Sequence, residues 1–96
     1  MGDRDVILQC LRIALPALQK EFPLQRLALF GSIARGDATP ESDLDVLVEV
    51  EPSIGLRFVS LADRLETLTR RKVDLVSRRA IKPSLWKLIE PELLYV

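Results

Sequence analysis

The sequence contains no histidine and only one cysteine. Without histidine there is no imidazole general base, no serine–histidine triad and no histidine-ligated zinc. Any catalysis must rest on carboxylates, lysine, arginine, hydroxyls or a bound metal. A lone cysteine cannot close an internal disulfide, which suits a reducing cytoplasm. Cys10 lies among Leu8, Leu11 and Ile13 and reads as a small core residue. An excess of charge of one sign is also missing: 14 basic and 14 acidic residues leave a net charge of zero. Domains that bind nucleic acid through bulk charge are clearly basic, so nucleic acid is not the expected partner. The cluster Arg70, Arg71, Lys72, Arg78, Arg79 and Lys82 reads as a solvated helix end and loop. No apolar run approaches the roughly 20 residues that span a bilayer. The charged opening Met-Gly-Asp-Arg-Asp lacks the apolar stretch of a signal peptide. The expectation is a soluble, cytoplasmic protein that does not engage a membrane.

What is present, 48% hydrophobic residues in a chain of 96, suffices for one small domain spanning 1–96. Ile7, Leu8, Leu11, Ala14, Leu15 and Leu18 recur at helical spacing. Pro16 interrupts, so the pattern predicts one helix ending near Ala14 and a short second one from Pro16 to Glu21. Residues 25–30 read as a strand, and the run Leu27-Ala28-Leu29-Phe30 suits a strand covered on both faces. Residues 37–42 are turn chemistry. Residues 44–50 form a second strand, with Asp45, Leu47 and Glu49 on one face and Leu44, Val46, Val48 and Val50 on the other. Ser53 is a candidate N-cap for a helix whose stripe is Ile54, Phe58, Leu61, Ala62, Leu65 and Leu68. A third strand is predicted over 72–76. Pro83 starts a last helix holding Leu85, Trp86, Leu88 and Ile89, and Pro91 ends it. The apolar tail Leu93-Leu94-Tyr95-Val96 packs back or meets a partner, which leaves a homo- or hetero-oligomer open. This order gives an α/β class with a small sheet flanked by helices.

Three segments carry chemistry. Gly31-Ser32-Ile33-Ala34-Arg35-Gly36 follows directly on a strand, and its glycines permit tight turns and close approach to an anion. It is not a Walker A loop, because Asp37 and Ala38 stand where Lys and Ser/Thr are required. It is not a dinucleotide fingerprint either, since position 33 is Ile. Taken alone, it is equally a structural turn. In Ser42-Asp43-Leu44-Asp45 the period of a strand puts both carboxylates on one face. Like charges so close repel unless a cation sits between them, and Mg²⁺ takes such oxygens together with substrate phosphates. Two solvated acids at a strand edge are the plain alternative. Asp74, inside Val73-Asp74-Leu75-Val76, is either an edge-strand acid facing water or a third carboxylate converging on the other two.

Gly31-Ser32, ten intervening residues and then Asp43-x-Asp45 is the signature that opens nucleotidyltransferase sites of the polymerase-β type. The wider run from Gly31 to Val48 closely resembles the minimal nucleotidyltransferase family, small proteins paired with HEPN-domain toxins in bacteria and archaea. The resemblance continues through Leu27–Phe30, Val73–Val76, Lys82-Pro83 and the Trp86–Ile89 helix, with Pro91 a minor difference. It implies a polymerase-β-like core with a mixed, twisted sheet. It implies that Gly31 and Ser32 hold the triphosphate, with Arg35 and Ser42 beside the nucleotide. Asp43 and Asp45 would bind Mg²⁺, and Asp74 would complete the catalytic carboxylate set. The implied function is an antitoxin that transfers AMP from ATP to a tyrosine hydroxyl of a cognate HEPN toxin.

Other readings stay open. The protein could neutralise its partner by contact alone, with an idle nucleotide site. It could modify a small molecule such as an aminoglycoside, although relatives of that kind carry a further helical substrate domain. Nucleic-acid binding through the basic cluster at 70–82 would show as salt-dependent affinity.

Overall fold

The computed structural model describes residues 3–96. Its sheet is organised around the two apolar runs of the sequence, β1 (Leu24–Phe30) and β2 (Leu44–Val50), which pair antiparallel. β3 (Val73–Ser77) joins β2 in parallel, and the two-residue β4 (Leu94–Tyr95) joins β1 antiparallel. The order is therefore β3-β2-β1-β4, a mixed sheet with β3 and β4 at its edges. The helices are α1 (Asp3–Glu21), α2 (Gly31–Arg35), α3 (Arg57–Thr69) and α4 (Pro83–Ile89). No helix among the described residues is long and apolar enough to cross a membrane.

Alternation along the central strands sorts their side chains onto two faces. Leu27 and Leu29 of β1 and Leu44, Val46 and Val48 of β2 meet Leu8, Leu11 and Leu18 of α1 and Leu61 and Leu65 of α3 in the main core. The opposite face carries a smaller core: Ala28 and Leu47, with Phe30 and Val76, packed against Ile81, Trp86 and Ile89. Arg64 of α3 donates to both carboxylate oxygens of Glu21, at 2.6 and 2.7 Å, and so ties α3 to the end of α1.

Three expectations are corrected. Pro16 does not split the first helix, which runs unbroken from Asp3 to Glu21. Proline removes one N–H, so the carbonyl of Arg12 loses its helical donor. Both residues face solvent, where water serves that carbonyl, while the buried stripe holds the helix together. Ser53 is not an N-cap: Pro52–Ile54 form a 3-10 turn, and α3 begins later, after Leu56, with no side-chain cap. Cys10 is half-buried rather than core, and its thiol donates to the carbonyl of Leu68 at 3.4 Å. The tail does pack back. Leu94 and Val96 lie against the main core, and Tyr95 stacks under the guanidinium of Arg26 at 4.9 Å.

Candidate active site

The strand register lays out two rows across the smaller face of the sheet. Ala28 pairs with Leu47, and Leu47 with Val76; this apolar row lies under α4 and the turn before it. One step along, Phe30 pairs with Asp45, and Asp45 with Asp74. This second row is polar on two of its three positions. Asp74 thus satisfies both descriptions at once: it is an exposed residue of an edge strand, and its Cα is the register partner of Asp45. Asp43 lies just before β2 rather than within it. The N–H of Leu44 donates to the carbonyl of Lys72 at 2.8 Å, which anchors that approach to the start of β3.

Gly31 stands where β1 hands over to α2, next to the Asp45 row. Its φ of +76° is a left-handed conformation that side chains disfavour. A Cβ there would collide with the Asp45 carboxylate, reaching its Cγ at 2.9 Å and its Cβ at 3.2 Å. The glycine is therefore required twice, by its backbone angle and by the carboxylate packed over it. No side chain caps the start of α2, so the N–H groups opening that helix lack an intrahelical acceptor. The helix closes after one turn because Gly36 is left-handed, at φ +86°. The N–H of Gly36 donates to Ile33 at 3.2 Å and that of Asp37 to Ser32 at 3.0 Å, a Schellman closure. The loop expected at 31–36 is thus a short helix.

The other two residues of the sequence-based set have structural partners. Arg35 donates from Nε to Asp37 at 3.1 Å and from Nη1 to Glu92 at 3.0 Å. These two hydrogen bonds, Asp37 first, hold its guanidinium pKa above the ordinary value. Ser42 accepts at Oγ from the N–H of Thr39, 2.9 Å away, and closes the turn that leads to Asp43. Arg71 donates to the carbonyl of Ser42 at 3.4 Å and to Asp3 at 2.7 Å.

Electrostatically the site is an unneutralised cluster of acids. Burial first, then the charges of Asp74 and Asp43, push the Asp45 carboxyl above the ordinary range; Arg35 opposes this and Glu92 adds to it. Among the described residues none of Asp43, Asp45 and Asp74 is ion-paired with a lysine or arginine. Nor do three ligating side chains close into a ready-made metal cage. The donors are hard carboxylate oxygens that repel one another, and a divalent cation of the Mg²⁺ type fits them chemically. Glu92, a further acid at this site, was missed by sequence reasoning. It follows Pro91, outside any periodic pattern, and reaches Arg35 across 57 positions of chain.

The family model of the nucleotidyltransferase domain matches residues 11–96. A protein adenylyltransferase, MntA, of Thermococcus cleftensis is 38% identical over 81 residues, covering 82% of this chain and 81% of that protein. A solved structure described provisionally as a minimal nucleotidyltransferase superposes with a TM-score of 0.77 at 32% identity, covering 98% of this chain and 95% of that one. A crystal structure of a toxin–antitoxin with AMP-PNP superposes with a TM-score of 0.67 at 26% identity, covering 96% of this chain and 70% of that one. The Gly31-Ser32 helix start against an acidic row of a mixed sheet agrees with these matches, and the chain belongs to the nucleotidyltransferase domain family, among its minimal nucleotidyltransferases.

Proposed function

We propose that this protein is a Mg²⁺-dependent protein adenylyltransferase that acts in the cytoplasm as the antitoxin of a HEPN toxin. It would move AMP from ATP to a tyrosine hydroxyl of that partner. The observation that carries this reading is the Asp45–Asp74 pairing beside Gly31. The relatives named for protein adenylylation and the toxin–antitoxin structure with AMP-PNP support the choice of donor and acceptor.

In this reading Gly31 and Ser32 hold the triphosphate through the uncapped N–H groups at the start of α2. Asp43, Asp45 and Asp74 would hold Mg²⁺, which supplies charge neutralisation at the phosphates. Asp74, exposed on the edge strand, takes the proton of the incoming hydroxyl. The acceptor oxygen bonds to the α-phosphorus, the bond from that phosphorus to the bridging β-oxygen breaks, and pyrophosphate leaves.

The test is transfer of label from α-labelled ATP to a candidate HEPN partner, with Mg²⁺ present. Label on the partner that disappears in the Asp43→Asn/Asp45→Asn variant is the expected result. Inhibition of the toxin that survives this double change, with no label transferred, supports neutralisation by contact instead.

A further inference from the structure

One groove borders the acidic row on the side of α4. It has a volume of about 460 Å³ and runs from Asp74 and Gly31 along α4 to Glu92. Of Asp43, Asp45 and Asp74, only Asp74 lines it; Glu92, held by Arg35, closes its far end. Its other wall is apolar, formed by Phe30, Val76, Leu85 and Leu88. Leu85 and Leu88 lie three residues apart and therefore share a face of α4. They remain 48% and 72% exposed while Trp86 and Ile89 turn inward to the sheet. Large apolar side chains left uncovered in a group mark a binding surface more often than a solvent face.

The charge of the groove selects among occupants. Arg35 is its one lining cation, and Asp37 and Glu92 already engage it. The open charge is that of Asp74, which repels a polyphosphate and tolerates a neutral ring flanked by basic residues. We infer that this groove is the acceptor subsite, in which Leu85 and Leu88 grip the aromatic ring of the acceptor and aim its hydroxyl at Asp74. The inference rests on the protein-adenylyltransferase reading and adds a source of selectivity. A tyrosine covers the two leucines, whereas serine or threonine leaves them wet and stops short of Asp74.

The test uses the full chain with Leu85→Ser/Leu88→Ser, and Leu88→Met as the conservative control. The exposure of both leucines predicts an unchanged melting temperature. The KM for the HEPN partner should rise about tenfold or more in the double variant, with the KM for ATP unchanged and Leu88→Met near wild type. In methyl-labelled protein, N-acetyltyrosinamide should shift the Leu85 and Leu88 resonances, and N-acetylserinamide should not. A raised KM for ATP instead places the adenine in the groove and overturns the inference. So does wild-type turnover by the double variant, or equal shifts with both amides. Absence of label transfer by the wild-type chain is a different failure, that of the adenylyltransferase reading itself.

Discussion

Asp45 and Asp74 face one another as register partners across the parallel β2–β3 pair, at the end of the sheet face that α4 leaves open. The pairing predicts separable effects on activity and stability. Asp74→Asn should lower adenylyl transfer by roughly 10²–10⁴-fold, the range for loss of a general base. Asp74 is exposed, so the fold should tolerate the change without loss of melting temperature. Parallel rate and melting measurements check this, and a variant that is active but unfolds early contradicts it.

The elevated Asp45 pKa carries a pH signature. In metal-free protein the folded state keeps the Asp45 proton at pH values where the unfolded chain has released it. Stability from this group is complete below the ordinary carboxylate range and is lost as pH rises through the elevated folded value. At neutral pH the ionised group therefore weighs against the fold. Asp45→Asn should raise the melting temperature at neutral pH in EDTA and flatten its dependence on pH. Mg²⁺ should stabilise the wild-type chain and not the variant. Equal stabilisation of both by Mg²⁺ would remove Asp45 from the metal site.

Gly31→Ala forces a side chain into a left-handed position and against the Asp45 carboxylate. The backbone alone costs about 1–2 kcal/mol, measurable by urea denaturation. Activity should fall further than stability, because Asp45 must move to admit the methyl group. A variant with wild-type turnover contradicts the close packing of these two residues.

Pro16→Ala should stabilise the protein by about 1–2 kcal/mol. The change restores one helical hydrogen bond and improves propensity, offset in part by a looser unfolded chain. Urea denaturation with an unchanged slope would show it. A loss of stability would mean that Pro16 serves some packing role in α1.

These residues also show what could be read from sequence. Short apolar runs bounded by turn chemistry located β1 and β2 to within a residue, and alternation placed Asp45 with Leu47 on one face, as observed. Of the residues that the Gly-Ser and Asp-x-Asp spacing singled out, Asp45 is the register partner of Asp74 and packs over Gly31, while Asp43 lies outside the paired strands. Continuity of α1 was not legible, because it depends on which side of Pro16 faces water, and that is decided by packing against α3 and the sheet. The role of Ser53 was misread because Pro52 favours a 3-10 turn before the helix. Glu92 and the outward turn of Leu85 and Leu88 were hidden for the same reason. Each is set by the way α4 lies on the sheet, not by local pattern.

The proposed function requires Asp43, Asp45 and Asp74 to share one cation with ATP. The decisive measurement is calorimetric titration of ATP into the protein, with Mg²⁺ and with EDTA. Binding heat that appears only with Mg²⁺ and vanishes in Asp43→Asn/Asp45→Asn is the predicted result. ATP binding of equal strength in EDTA, or retained by the double variant, would contradict it.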